Sequence, residues 1–256
     1  MRRPLAIANW KMAMTLAESA AFVAALRQAA GELYAAVETV LFPPCTALYL
    51  VGQALAGSGV LLGAQNVAAE PGGAYTGQLS AALLADAGCR WVMLSHWEVR
   101  RHLGDDDEIV RHKVRRCLEA GLHPLLLIGL GRDEPGDARQ VMEARLARVL
   151  GDCRADQVAG MAFMYEPEGA IGGSEPEPPE SVAAGCRAIR AYVRRVYGDT
   201  VAEAVRVVYG GSVTPEAVPR LLAHPEVDGL GVGRKGREVA SFVAVIRAIA
   251  RARGLA

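Results

Sequence analysis

Eight short apolar runs, rich in β-branched residues, alternate with longer amphipathic segments from one end of this 256-residue chain to the other. The runs are Leu5–Asn9, Thr39–Phe42, Val60–Ala64, Trp91–Leu94, Leu125–Ile128, Ala159–Tyr165, Val205–Tyr209 and Gly229–Val232. They lack a clean alternation of apolar and polar side chains, as expected of strands buried on both faces of a parallel sheet. The segments between them carry helix signals. Thr15 precedes Glu18 by three residues, a capping box in which each side chain satisfies an orphan amide. Asp105 is expected to open a helix that ends at Gly121, a residue suited to a left-handed C-terminal turn. Thr214-Pro215-Glu216 reads as a cap followed by a proline at the first helical position, where its missing N–H costs nothing. Eight strand–helix units in about 250 residues fit an α/β fold, the closed (β/α)₈ barrel; strand number alone leaves a doubly wound open sheet as the alternative. No linker divides the chain, so residues 1–256 are expected to form a single barrel domain. The one break in composition, Ser174 to Glu180, is acidic and proline-rich and reads as a solvated loop after the sixth strand.

Charge narrows the range of partners. Lys+Arg and Asp+Glu balance at 28 each, and aromatics make up 5% of the chain. Such a chain has no electrostatic footprint for nucleic acid and no general attraction to anionic membrane surfaces. Hydrophobic residues, 52% of the total, exclude disorder because they offset the entropy of folding. The five cysteines, Cys45, Cys89, Cys117, Cys153 and Cys186, are scattered and never form a CxxC pair. That pattern gives neither a zinc site nor a disulfide framework, and fits reduced thiols in a cytoplasm. Arg2 and Arg3 precede Leu5-Ala-Ile-Ala8 in the manner of a signal peptide, but Lys11 interrupts the apolar run. No stretch approaches the roughly 20 apolar residues of a membrane span. The expected setting is cytoplasmic.

Barrel active sites lie at the C-terminal ends of the strands. The first strand ends in Asn9-Trp10-Lys11, the fourth in Ser95-His96-Trp97-Glu98, and the sixth in Tyr165-Glu166-Pro167. The seventh runs into Gly210-Gly211-Ser212 and the eighth into Gly231-Val232-Gly233-Arg234. Singly, each has a plain structural reading: a surface lysine, a hydrogen-bonded histidine, a solvated carboxylate, a tight turn. Together they are complementary. Glycine-rich turns before helices let backbone amides approach an anion, and a phosphate site after strands seven and eight recurs in this fold. A carboxylate base, an imidazole donor and a cation beside bound phosphate suit proton abstraction next to a carbonyl. No metal cluster competes, and Gly231-x-Gly233-x-x-Gly236 lacks the context of a dinucleotide fingerprint, so no metal or cofactor is expected.

These residues resemble the triosephosphate isomerase family over the whole length. Asn9-Trp-Lys-Met12, Ala64-Gln-Asn-Val67, Gly73-Ala-Tyr-Thr-Gly77, Ser95-His96, Tyr165-Glu-Pro167, Ala170-Ile-Gly172 and Tyr209-Gly-Gly-Ser-Val213 occur in the family's order. The pairing of a glutamate base with a neutral histidine is that family's known chemistry, so the roles come with the resemblance. It implies Glu166 as base, His96 as electrophile and Lys11 as the cation on the substrate, with Asn9 beside it and Glu98 in support. It also implies phosphate contacts from Gly172, Ser212, Gly233 and the amide at Arg234. It further implies a homodimer in which the loop around Gly73–Thr76 inserts into the partner.

Several positions depart from the family pattern. Trp97-Glu98-Val99-Arg100 stands for Ser-Glu-Arg-Arg, and Gln78 replaces an acid, so the family's arginine and acid are lost together and neither strands a charge. Leu127-Ile-Gly-Leu130 replaces the flanking Cys and Glu. In the lid over the phosphate, Pro167-Glu168-Gly169 replaces Pro-Val-Trp, and Gly173-Ser174 replaces Thr-Gly. Arg234 and Lys235 replace small residues. Gly169 adds backbone freedom, so a mobile lid and turnover below that of relatives are expected. The implied activity is interconversion of dihydroxyacetone phosphate and glyceraldehyde 3-phosphate. A paralogue acting on a longer sugar phosphate, such as a tetrulose phosphate, is the alternative, with room for one more hydroxymethyl group at Gly169. A non-catalytic sugar-phosphate-binding homologue is the third reading. Retention of Asn9, Lys11, His96 and Glu166 argues against it, because binding phosphate requires no carbon base.

Overall fold

Alternate residues of each strand face opposite ways, and in this chain both directions lead into apolar surroundings. In a computed structural model, which describes residues 2–29 and 31–255, Leu5, Ile7, Val40, Phe42, Met93, Leu125, Leu127, Met164 and Val208 fill the interior of the barrel. Their neighbours Ala6, Ala8, Leu41, Val92, Leu94, Leu126, Phe163, Val207 and Leu230 pack outward against the helices. This double burial is why the strands read as apolar runs. Residues 1, 30 and 256 of the expected span lie outside the described residues.

The strands are β1 (Leu5–Asn9), β2 (Glu38–Phe42), β3 (Leu61–Ala64), β4 (Trp91–Leu94), β5 (His123–Ile128), β6 (Ala162–Tyr165), β7 (Arg206–Gly210) and β8 (Gly229–Val232). All pair in parallel in sequence order, and β8 closes on β1 with Leu5 opposite Gly229 and Ile7 opposite Gly231. The closed (β/α)₈ barrel is therefore the fold, and the open sheet is excluded. No helix among the described residues is long and apolar enough to cross a membrane.

Three local expectations are corrected. The sixth run begins at Ala162, because Ala155–Ala159 is a helical turn that ends at Gly160. Asp106, not Asp105, caps the helix Asp107–Glu119, accepting the N–H of Ile109 at 2.8 Å. Asp105 is instead buried against Lys113 Nζ, at 2.6 and 2.8 Å. Thr214-Pro215-Glu216 forms a turn, and the helix starts at Val218. The capping box at Thr15 forms as expected, with the Thr15 N–H on Glu18 Oε2 at 2.7 Å and the Glu18 N–H on Thr15 Oγ1 at 3.3 Å. Gly121 takes a φ of 71°, the left-handed turn its position requires.

Candidate active site

Trp10 anchors the first wall of the site. Its indole is fully buried, edge-on to Phe22 with ring centroids 4.9 Å apart, and its N–H donates to the Gly236 carbonyl at 3.2 Å. The end of β1 is thereby tied to the turn after β8. Lys11 adopts a φ of 53°, held there because its N–H donates to Asn9 Oδ1 and its carbonyl accepts from Gln65 Nε2, each at 2.9 Å. Gln65 is a site residue that sequence reasoning passed over; its place at the end of β3 was the available signal. A left-handed non-glycine residue costs about 1–3 kcal/mol, which persists only where the surroundings enforce it. Among the described residues four non-glycines have positive φ, and Lys11, Ser95 and Ser212 of that set stand in or beside this site.

His96 caps the helix Trp97–Leu103 with its own ring. Nδ1 accepts the N–H of Glu98 at 3.1 Å, which assigns the remaining proton to Nε2. Burial, and then the charge of Lys11, push the imidazole down to about 4 against the opposing pull of Glu98. The ring is neutral at pH 7. Lys11 Nζ lies 3.4 Å from His96 Nε2 and 2.5 Å from Glu98 Oε1. Nζ and Nε2 both carry protons, so they form no bond to each other. They are two donors converging on one space.

Glu166 follows β6, its N–H donating to the Ile128 carbonyl at 2.9 Å and so extending the β5–β6 ladder. The residue is 9% exposed. Its Oε2 lies 3.6 Å from His96 Nε2, beyond hydrogen-bonding reach, and has no partner among the described residues. With the imidazole neutral, this contact is no ion pair. Burial raises the carboxyl to about 8, with Lys11 pulling it down and Glu98 pushing it up. Gly210 leaves room for the carboxylate: a Cβ there would lie 3.0 Å from Glu166 Oε1 and 2.5 Å from Met164 Sδ.

One cavity of about 360 Å³ joins all the sequence-predicted residues: Asn9, Lys11, His96, Glu98, Glu166, Gly172, Ser212, Gly233 and Arg234. Lys235 and Arg237 line it too. Lid residues Ile171–Ser174 form one side. Ser212 Oγ lies 3.1 and 2.9 Å from the carbonyl oxygens of Ala170 and Gly173, and Tyr209 OH accepts the N–H of Glu177 at 3.0 Å. Tyr209 thus holds the far end of the lid, a contact across 32 residues that the sequence does not advertise. The arrangement presents a buried carboxylate and two converging donors across a small space, beside a turn rich in glycine and cations. It can take a proton from carbon and stabilise the oxyanion that results.

The triosephosphate isomerase family model matches residues 4–249. The chain belongs to that family. It is 43% identical over 256 residues to the triosephosphate isomerase of Symbiobacterium thermophilum, covering 99% of both chains. It is 36% identical over 249 residues to that of Carboxydothermus hydrogenoformans (96% of this chain, 99% of the relative). It is 38% identical over 248 residues to that of Chloroflexus aurantiacus (96% and 99%). Against the triosephosphate isomerase pattern, the rewritten lid now has a physical description. The charge of Glu168 does not face the cavity. It is buried and paired with Arg101, and its Oε2 also accepts the Arg132 N–H at 2.7 Å. The Arg101 contact, helped by that amide, holds its carboxyl below the ordinary range against the opposing effect of desolvation. Gly169 does not line the cavity, and a Cβ there would meet open space.

Proposed function

We propose that this chain interconverts dihydroxyacetone phosphate and glyceraldehyde 3-phosphate through an enediolate. One observation carries the reading: the partnerless Glu166 Oε2 faces His96 Nε2 at 3.6 Å inside a cavity that also holds Lys11 and the glycine-rich turns. Glu166 removes the proton from the carbon next to the carbonyl, and the electron pair moves to the carbonyl oxygen. The His96 Nε2 proton and the Lys11 ammonium stabilise that oxygen. The proton of the neighbouring hydroxyl passes to that oxygen by way of His96 Nε2, and Glu166 returns its proton to the carbon that bore the carbonyl as the other oxygen becomes the new carbonyl. Asn9 fixes Lys11, Glu98 orients its ammonium, and Gly172, Ser212, Gly233 and the Arg234 amide receive the phosphate. The tetrulose alternative loses its support, since Gly169 lies outside the cavity.

Assay with triose and tetrulose phosphates side by side tests the reading, with turnover of the triose phosphate alone as the expected result. The pH profile is a second readout. A general base works deprotonated, and Glu166 is raised to about 8, so kcat/KM climbs with pH and levels off above that value. His96, held near 4, stays neutral across this range. A profile flat from pH 6 to 9 would remove Glu166 as the base.

Assembly as a homodimer follows from the same family reading. The loop from Gly72 to Gln78 is exposed, Tyr75 included, and Met12 is 99% exposed. Beside them lies another cavity of about 290 Å³, lined by Lys11, Met12, Cys45, Gln65 and Leu79; we assign it as the socket for a partner's Gly73–Thr76 loop. Loss of the charge pair at Gln78 and Val99 matters little, because rim ion pairs add little beside buried area. Sedimentation at micromolar concentration is expected to give a dimer. Tyr75→Asp gives a monomer with activity reduced on the order of tenfold or more, because Lys11 borders both cavities. A wild-type monomer would contradict the assignment.

A further inference from the structure

The residues around the lid that depart from the family pattern converge on one short piece of backbone. Trp97 is the first residue of the helix Trp97–Leu103, directly after His96. Its indole Nε1 donates to the main-chain carbonyl of Glu166 at 3.0 Å. The ring is held in place on several sides. The Arg145 guanidinium lies 5.0 Å and the Arg100 guanidinium 5.9 Å from its centroid, and a Cβ on Gly131 would come within 3.1 Å of its Cη2. Arg145 is itself buried and anchored on the Gly129 carbonyl at 2.5 Å and Glu134 Oε1 at 2.8 Å. One turn along the same helix, Arg101 grips both carboxylate oxygens of Glu168, with Nη2 on Oε2 at 2.6 Å. The Glu168 N–H donates to the Leu130 carbonyl at 3.0 Å. Residues on both sides of Pro167 are thus tied to the helix that His96 caps.

We propose that Trp97, assisted by the Arg101–Glu168 pair, is a positioning residue that fixes the Glu166 backbone to the support of His96 and so sets the base against the electrophile. The proposal rests on the reading of Glu166 as the base and deepens it. A hinge of Glu168-Gly169 without these contacts has glycine's freedom beside the catalytic carboxylate. With them, that freedom is confined to Gly169 and the residues after it. The main chain that carries the base is then held apart from the freedom of the residues after Glu168. Trp97 touches no reacting atom; it acts through the carbonyl of Glu166. Displacing a catalytic group by about 1 Å costs on the order of 10²-fold, so a modest loosening is visible in turnover.

Wild type, Trp97→Phe and Arg101→Lys, assayed with dihydroxyacetone phosphate from pH 5 to 10 alongside thermal unfolding, test this. Phe keeps an aromatic ring under Arg145 but has no N–H, and Trp97 is only half-buried, so the fold is expected to persist. Trp97→Phe is expected to lower kcat about tenfold with KM within about twofold, since only the position of the base changes. The acidic limb of the profile moves to lower pH as water reaches the carboxylate. The charged and titratable groups around Glu166 are Lys11, His96, Glu98 and Tyr209, and the substitution alters none of them. Arg101→Lys keeps the charge, loses the two-pronged grip, and is expected to show the same split more weakly. If wild type itself fails to turn over triose phosphate, the functional reading falls before the variants are compared. If wild type is active and Trp97→Phe is folded with unchanged kcat and an unmoved limb, or with KM rising in step, the clamp is overturned. If Trp97→Phe does not fold, Arg101→Lys decides by the same criteria.

Discussion

Glu166→Gln is expected to lower turnover of triose phosphate by on the order of 10²–10⁴-fold while leaving the fold and phosphate binding nearly intact. Glutamine matches the carboxylate in shape but accepts no proton from carbon. The rest of the cavity does not depend on the charge. His96 is held by the Glu98 amide, Lys11 by Asn9 and Gln65, and the phosphate turn by Trp10. The buried Oε2 has no protein partner to lose, so the cost to stability is small. An unpartnered buried oxygen is unusual in a folded protein and is explained by a ligand atom that it is built to meet. The check is kcat and KM for the variant together with its affinity for inorganic phosphate. Wild-type turnover in Glu166→Gln would remove this residue from the mechanism; intact turnover cannot coexist with its role as base.

What the sequence made legible, and what it did not, divides along physical lines. The bounds of β1, β4 and β8 coincide with their apolar runs. The sixth run extended too far toward the N-terminus because Ala159-Gly160-Met161 is apolar without being extended; a short apolar run does not separate the end of a helix from the start of a strand. At Thr214 two prolines compete for the start of one helix. Pro219 takes the first turn, where its missing N–H is free of cost, and Pro215 is left in the preceding turn. Asp105 lost its cap to a neighbour because Lys113, eight residues on, is buried and needs a counter-charge.

The site shows the same division. Asn9, Lys11, His96 and Glu166 were readable because each stands at a strand end, where a barrel directs side chains into one rim. The contacts that hold them there span great distances in sequence. Gln65 reaches back 54 residues to Lys11, and Trp97 reaches forward 69 to Glu166. No local pattern marks such pairs. Glu168 is the clearest instance. Its charge, which the linear order sets near a phosphate lid, is turned away and neutralised by Arg101, 67 residues earlier.

Lys11→Met is the second large effect, expected to reduce kcat/KM on the order of 10²–10³-fold, the scale of losing one preorganised group from a developing oxyanion. Unlike Glu166→Gln, it acts on both parameters. The ammonium faces the cavity proposed to take the phosphate, so KM is expected to rise, and it lies 3.4 Å from His96 Nε2 as the proposed second donor, so kcat is expected to fall. Methionine fills a similar volume, and the left-handed backbone at position 11 is held by main-chain contacts that do not require the side chain. The pH profile fixes the interpretation. Lys11 draws the Glu166 pKa down from where burial alone would put it, so without the ammonium the base takes up its proton more readily. The acidic limb therefore moves to higher pH, opposite to the shift expected for Trp97→Phe. His96 loses one of the influences that keep it neutral, but burial, the larger one, remains. Glu98 loses its cationic partner and titrates at higher pH than in wild type. A Lys11→Met enzyme with normal KM would mean that the ammonium does not contact the phosphate, and one whose acidic limb stays in place would mean that it does not act on the base.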